Sequence, residues 1–174
     1  MSKIGLFFGP LKGSVHRVAN KVAAALGEQN VELISVHDAE VSDLEKFDKI
    51  IFGISTVGKE TWDSDFSNTD WAKFFPNVRK VDFSGKTVAI FGLGDHLTYS
   101  RHFVNAIGVL GKELLQNNAT IVGQVDPAGY EFEDTEAIEN GKFLGLPVDE
   151  DFEPEKTDER VLNWANSIKP AFGL

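Results

Sequence analysis

The sequence contains no cysteine, and that single absence removes disulfides, thiolate nucleophiles, iron–sulfur ligation and the common structural zinc sites together. It has no run of about 18 apolar residues, so no membrane-spanning helix is expected. An apolar run begins within three residues of Met1, so no signal peptide is expected. A reducing cytoplasm is the expected location. The four histidines, His16, His37, His96 and His102, stand at no ligand-like spacing from carboxylates and read as ordinary surface or core residues, so no metal site is expected. No nicotinamide fingerprint is present. Asp95 and His96 are adjacent, and His102 lies further along the same stretch, but neither a cysteine nor an elbow serine accompanies them. A carrier is favoured over an enzyme, with no catalytic residues.

What is present is one domain's length of chain, 174 residues, with an uneven charge. The net charge is −10, and the stretch 126–160 holds thirteen acidic residues against Lys142, Lys156 and Arg160. The rest of the chain balances at fourteen of each sign. A concentrated acidic face repels nucleic acid and anionic lipid, and can steer a basic protein partner. The same run also reads as a solvated surface that confers solubility.

The opening stretch, KIGLFFGPLKGSVHRVA, organises the remainder. Ile4, Leu6, Phe7 and Phe8 form a short apolar run ended by Gly9-Pro10, a buried strand and a turn. Gly13-Ser14 opens a helical pattern in which Val15, Val18, Ala19, Val22 and Leu26 recur at three- and four-residue spacing. Strand, glycine turn and helix N-terminus are the parts of an anion site, because the first helical N–H groups have no intrahelical acceptor. Many α/β proteins begin this way and bind nothing there.

Further strands are expected over 31–36, 49–54, 87–91 and 119–122. Helices are expected over 71–75, stopping at Pro76, and over about 101–116 and 158–168. The last of these should turn Val161, Leu162, Trp164, Ala165 and Ile168 inward. Residues 126–151 show little helical periodicity. Strands alternating with helices predict a single α/β domain with a doubly wound parallel sheet. Ligands of such sheets bind beyond the carboxyl ends of the strands, so the loops 9–15, 55–62 and 92–102 should converge on one crevice.

Three blocks go beyond pattern: VDFSGKTVAIFGLGDHLTYS over 81–100, GYEFEDTEAIENGKFLGLPVDED over 129–151, and TDERVLNWANSIKPAFGL over 157–174. With them the chain resembles, over essentially its whole length, the flavodoxins of the long-chain type. Residues 125–146 resemble the insertion that splits the last strand in those proteins. The resemblance implies a flavodoxin-like doubly wound five-stranded parallel sheet flanked by helices, with FMN as cofactor. It implies one-electron transfer between redox proteins, such as a flavodoxin reductase and an acceptor enzyme, by a monomer that turns over no substrate of its own.

Carried over by position, the resemblance places the flavin ring between an inner residue on the second loop and an outer tyrosine on the third. Tyr99 matches the outer position, where an aromatic face offers stacking and disfavours a negatively charged flavin. Asp95, following Gly92-Leu93-Gly94, matches a position that meets the pyrimidine end of the ring, and His102 belongs to the same loop. Asp151 matches an acidic residue near the ribityl chain, within an acidic run that also reads as plain surface. At the inner position, where many flavodoxins have tryptophan, this chain has Val57 in Ser55-Thr56-Val57-Gly58; an aliphatic residue there is also seen in the family. Trp62 either covers the flavin or pins its loop, and the second reading is preferred. Gly58 supports the peptide turn whose carbonyl accepts from flavin N5–H after one-electron reduction, since positive φ carries no Cβ penalty at glycine.

The opening turn departs from the family pattern, Thr/Ser-x-Thr-Gly-x-Thr, which wraps the FMN phosphate with hydroxyls. Here the positions read Pro10-Leu11-Lys12-Gly13-Ser14-Val15. Pro10, Lys12 and Val15 replace three hydroxyl residues, and Pro10 also lacks an amide N–H. Each charge-assisted hydrogen bond lost is worth roughly 1.5–3 kcal/mol. The Lys12 ammonium offers a compensating point charge, its other reading being a solvated helix face, which is the preferred reading of His16 and Arg17. An FMN electron carrier is therefore the leading expectation. The alternative is a flavodoxin-like binding or regulatory module with weak, phosphate-free or no flavin binding.

Overall fold

Alternate residues of each central strand enter opposite hydrophobic layers, which is why these strands are apolar almost without interruption. In the computed structural model, which describes residues 2–56 and 69–174, the chain runs β1 (Ile4–Phe8), α1 (Ser14–Leu26), β2 (Val31–Ser35), α2 (Val41–Glu45), β3 (Lys49–Ser55), α3 (Asp70–Arg79), β4 (Thr87–Leu93), α4 (Asn105–Gln116), β5 (Thr120–Ile121), β6 (Ile138–Glu139), β7 (Lys142–Phe143), β8 (Leu146–Val148) and α5 (Thr157–Ile168). The main sheet has the order β2-β1-β3-β4-β5, all pairs parallel. Leu6, Phe8, Ile51, Ala89 and Phe91 pack in the layer that holds residues of α1 and α5. Phe7, Ile50, Phe52, Val88 and Ile90 pack in the layer that holds residues of α3 and α4.

The fifth strand position is filled in two pieces. β5 pairs with Thr87 and Val88 at the start of β4, and β8 pairs with Phe91, Gly92 and Leu93 at its end. Between the pieces lies the insertion, with the small antiparallel pair β6–β7. An aromatic cluster anchors it: Phe103 stacks on Phe132 at 5.6 Å between centroids and meets Phe143 edge-on at 6.0 Å. Ser100 O accepts from the N–H groups of Glu133 and Asp134 at 2.8 and 3.0 Å. The insertion thus braces the segment that joins β4 to α4.

Three local expectations are corrected. α3 passes through Pro76 and continues to Arg79. Proline in a helix interior costs about 3 kcal/mol, but Phe74, Phe75 and Val78 are all buried, each worth about 1.5–3 kcal/mol. α4 begins at Asn105 and not near residue 101, because Val104 is left-handed at φ 45° and Ser100 is engaged by the insertion. Leu162 is 51% exposed, since the apolar stripe of α5 runs through Val161, Trp164, Ala165 and Ile168 and leaves it outside. No described helix is long and apolar enough to cross a membrane.

Candidate functional site

β1, β3 and β4 are parallel neighbours, so the loops that follow them leave the same edge of the sheet side by side. Backbone bonds fasten each start to the neighbouring strand: Gly9 N–H donates to Gly53 O of β3 at 3.4 Å, Thr56 N–H to Leu93 O of β4 at 2.9 Å, and Gly94 N–H to Val148 O of β8 at 3.0 Å. Three of the expected positions, Val57, Gly58 and Trp62, lie outside the described residues.

In the first loop Pro10, Leu11 and Lys12 are exposed, and Gly13 and Ser14 are half-buried at the start of α1. Val15 is only 2% exposed and its side chain belongs to the core, so that position offers a ligand its backbone alone. Lys12 is left-handed, with φ 63°. Its N–H donates to His16 Nδ1 at 3.1 Å, and the His16 ring stacks on Phe8 with centroids 4.7 Å apart. Arg17 donates to Ser14 Oγ at 2.8 Å, which leaves the hydroxyl proton of Ser14 able to point outward. From Gly9 to Gly27 this acidic chain carries no carboxylate, while Lys12, Arg17 and Lys21 are cationic. Cationic side chains, a hydroxyl and the unpaired first-turn N–H groups of a helix form a donor set that fits a phosphate.

In the second loop Ser55 and Thr56 are half-buried. Thr56 Oγ1 accepts from Ala106 N–H at 2.9 Å, capping α4 from another strand where the local N-cap, Val104, has no side-chain oxygen. In the third loop a Cβ on Gly92 would lie 2.4 Å from Ile107 Cγ1, and one on Gly94 2.7 Å from Val104 Cγ1. Those two glycines admit α4 close against the strand end. Leu93 is buried between them. Asp95 Oδ1 accepts from the N–H groups of Leu97 and Thr98 at 2.9 and 2.8 Å, and Asp95 O accepts from Tyr99 N–H at 3.2 Å. The turn so formed presents Tyr99 half-buried, with no aromatic contact among the described residues. His102 is held by Asn105 at 3.3 Å. Asp151 is exposed; partial desolvation and the carboxylates of Asp149, Asp95 and Glu150 raise its pKa.

His96 is a partly buried histidine with a carboxylate partner that local spacing does not show. Its ring Nδ1 is hydrogen-bonded to Asp149 Oδ2, and its backbone N–H donates to the same oxygen at 3.1 Å. Asp149 is fully buried, and its other oxygen accepts from Asp151 N–H at 3.0 Å and Phe152 N–H at 2.9 Å. Burial alone would push the Asp149 carboxyl up; the His96 ring and three backbone N–H donors outweigh it and hold the group below its usual range. Glu153 stands 3.6 Å from His96 Nδ1 and is paired with Lys156 and with Arg160, the latter at 3.4 Å. The donor atoms of His96, Asp149 and Glu153 lie within 4.8 Å of one another, but the two cations on Glu153 already balance its charge. Arg160 also lies over the Tyr130 ring at 4.2 Å, and burial pushes the Tyr130 phenol up to about 12, keeping it a donor to Pro147 O at 2.9 Å. The network ties the loop of Asp95 and Tyr99 to the loop of Asp151. Beside it opens a cleft of about 500 Å³ lined by Leu97, Tyr130, Phe152 and Glu155 among others. No local spacing announces this network, because His96 and Asp149 are 53 residues apart.

A parallel 2-1-3-4-5 sheet wound on both faces, with three loops starting side by side at its carboxyl edge, defines a flavodoxin-like α/β domain. The sequence profile of the Flavodoxin family matches residues 6–164. The flavodoxin of Picosynechococcus is 41% identical over 175 residues, covering 100% of both chains. Flavodoxin 1 of Azotobacter vinelandii is 38% identical, covering 99% of this chain and 98% of its own. The crystal structure of Fusobacterium nucleatum flavodoxin bound to flavin mononucleotide superposes with a TM-score of 0.87 at 27% identity, covering 98% of this chain and 99% of that one. The chain belongs to the flavodoxin family.

Proposed function

We propose that the chain is an FMN-binding electron carrier in which the altered opening loop takes the phosphate and the third loop takes the ring. Bound FMN supplies the chemistry, accepting and returning electrons singly; the protein binds it, orients it and limits its contact with water. The Lys12 ammonium, the Ser14 hydroxyl and the first N–H groups of α1 hold the phosphate, with Arg17 adding positive potential. Tyr99 covers the outer face of the ring, Asp95 and the backbone of Gly92, Leu93 and Gly94 meet its edge, and Asp151 lies toward the ribityl chain. The observation that carries this reading is the carboxylate-free, cationic segment 9–17, the first loop and the opening turn of α1, in a chain of net charge −10.

The partners are redox proteins, and the acidic surface docks them. Of the thirteen acidic residues over 126–160, Asp149 and Glu153 are buried and Glu150 is half-buried, leaving ten exposed. That face recruits a basic patch on a reductase or an acceptor enzyme, with the carrier acting as a monomer in the cytoplasm. Because such charge acts mainly on encounter rate, reduced holoprotein mixed anaerobically with ferricytochrome c, a basic acceptor, should show a second-order rate that falls with salt. A drop of about tenfold between 10 and 300 mM salt is expected, as the screening length shortens from about 30 Å to under 8 Å. A rate independent of salt contradicts the docking face, and no electron delivery at any salt contradicts the carrier.

A further inference from the structure

Lys12 adopts a backbone conformation that L-residues rarely hold, and the opening loop depends on it. Its φ of 63° lies in the left-handed region, where the side chain crowds its own carbonyl unless a neighbouring interaction compensates. That interaction is visible: Lys12 N–H donates to His16 Nδ1 at 3.1 Å, one turn into α1. A backbone N–H can only donate, so Nδ1 carries the lone pair and the ring proton sits on Nε2. The ring is fixed in turn by its stack on Phe8, with centroids 4.7 Å apart and planes inclined by 28°. Phe8 is 3% exposed at the end of β1, so the chain of support runs from core strand to imidazole to loop.

We propose that His16 is a positioning residue for phosphate recognition: through its Nδ1 it holds Lys12 left-handed and so sets the shape of the loop that receives the FMN phosphate. The inference rests on the reading that the phosphate binds in this loop. It also divides the labour there. The Lys12 N–H is occupied by His16, so the phosphate is met by the Lys12 ammonium, the Ser14 hydroxyl turned outward by Arg17, and the amides that open α1. His16 itself does not touch the ligand.

The test is a double-variant cycle read as the affinity ratio of FMN to riboflavin. His16→Phe keeps an aromatic ring against Phe8 and removes the acceptor. It should lose about tenfold in FMN affinity with riboflavin affinity unchanged, the latter also serving as the check that the ring site is intact and the chain folded. Glycine tolerates the left-handed region without help, so in a Lys12→Gly background the same His16→Phe change should alter FMN affinity less than twofold. Unchanged FMN preference in His16→Phe overturns the proposal. So does an equal loss in both backgrounds, which would make His16 a direct ligand or a mere packing element. If the parent chain itself binds FMN and riboflavin equally, the phosphate reading fails and this inference fails with it.

Discussion

Asp149→Asn is expected to lower the unfolding free energy of the chain by about 3 kcal/mol at pH 7. The carboxylate is fully buried and accepts from the His96 ring, the His96 N–H, and the N–H groups of Asp151 and Phe152. Asparagine preserves the shape but removes the charge, and it turns an amide NH₂ toward donors that need an acceptor. With a typical domain stability of about 5–15 kcal/mol, a loss of this size moves the urea midpoint by about 1–3 M. The pH dependence carries a sign. The folded carboxyl titrates below its unfolded value, so its contribution is complete above about pH 4 and disappears as pH falls through the depressed folded value. Parent and variant should therefore converge in acid. Urea unfolding followed by circular dichroism at pH 7 and below pH 4 checks both points, and equal midpoints at pH 7 would remove the network from the fold's supports.

Lys12→Ala is expected to weaken FMN binding by about 10- to 100-fold while leaving riboflavin binding unchanged, the loss of one charge-assisted contact of about 1.5–3 kcal/mol. The phosphate is the only difference between the two ligands, so the ratio isolates the loop from the ring site. Lys12 bears this weight because Pro10 and Val15 contribute no hydroxyl and Val15 is folded into the core. The loss should shrink in high salt, as screening weakens an exposed ammonium. A variant that binds FMN as tightly as the parent would assign the phosphate to the Ser14 hydroxyl and the amides of α1 alone. Fluorescence titration of the apoprotein with each ligand makes the comparison.

The sheet is legible in the sequence because its strands are short apolar runs separated by glycine turns and helical periodicity. Ile50, Ile51, Phe52 and Ile54 need no partner to be read as a strand covered on both faces. What depends on distant contacts is not legible. Pro76 stays within α3 because Phe74, Phe75 and Val78 are buried, and burial is a property of the folded neighbourhood. Thr56 Oγ1 accepts from Ala106 N–H and so caps a helix 50 residues later. The insertion holds its form through Phe103, Phe132 and Phe143 and not through any regular periodicity of its own. His96 meets Asp149 only when β8 is laid against β4. The departure of the opening loop from the hydroxyl-rich pattern, by contrast, is plain in Pro10, Lys12 and Val15 themselves.

The measurement that bears most directly on phosphate recognition by this loop is the titration of the unmodified apoprotein with FMN and with riboflavin in the same low-salt buffer. FMN binding tighter by about 100-fold or more is expected, since a phosphate dianion held by an ammonium, a hydroxyl and helix amides is worth about 3 kcal/mol or more. Equal affinities would contradict it, leaving a chain that grips the ring alone.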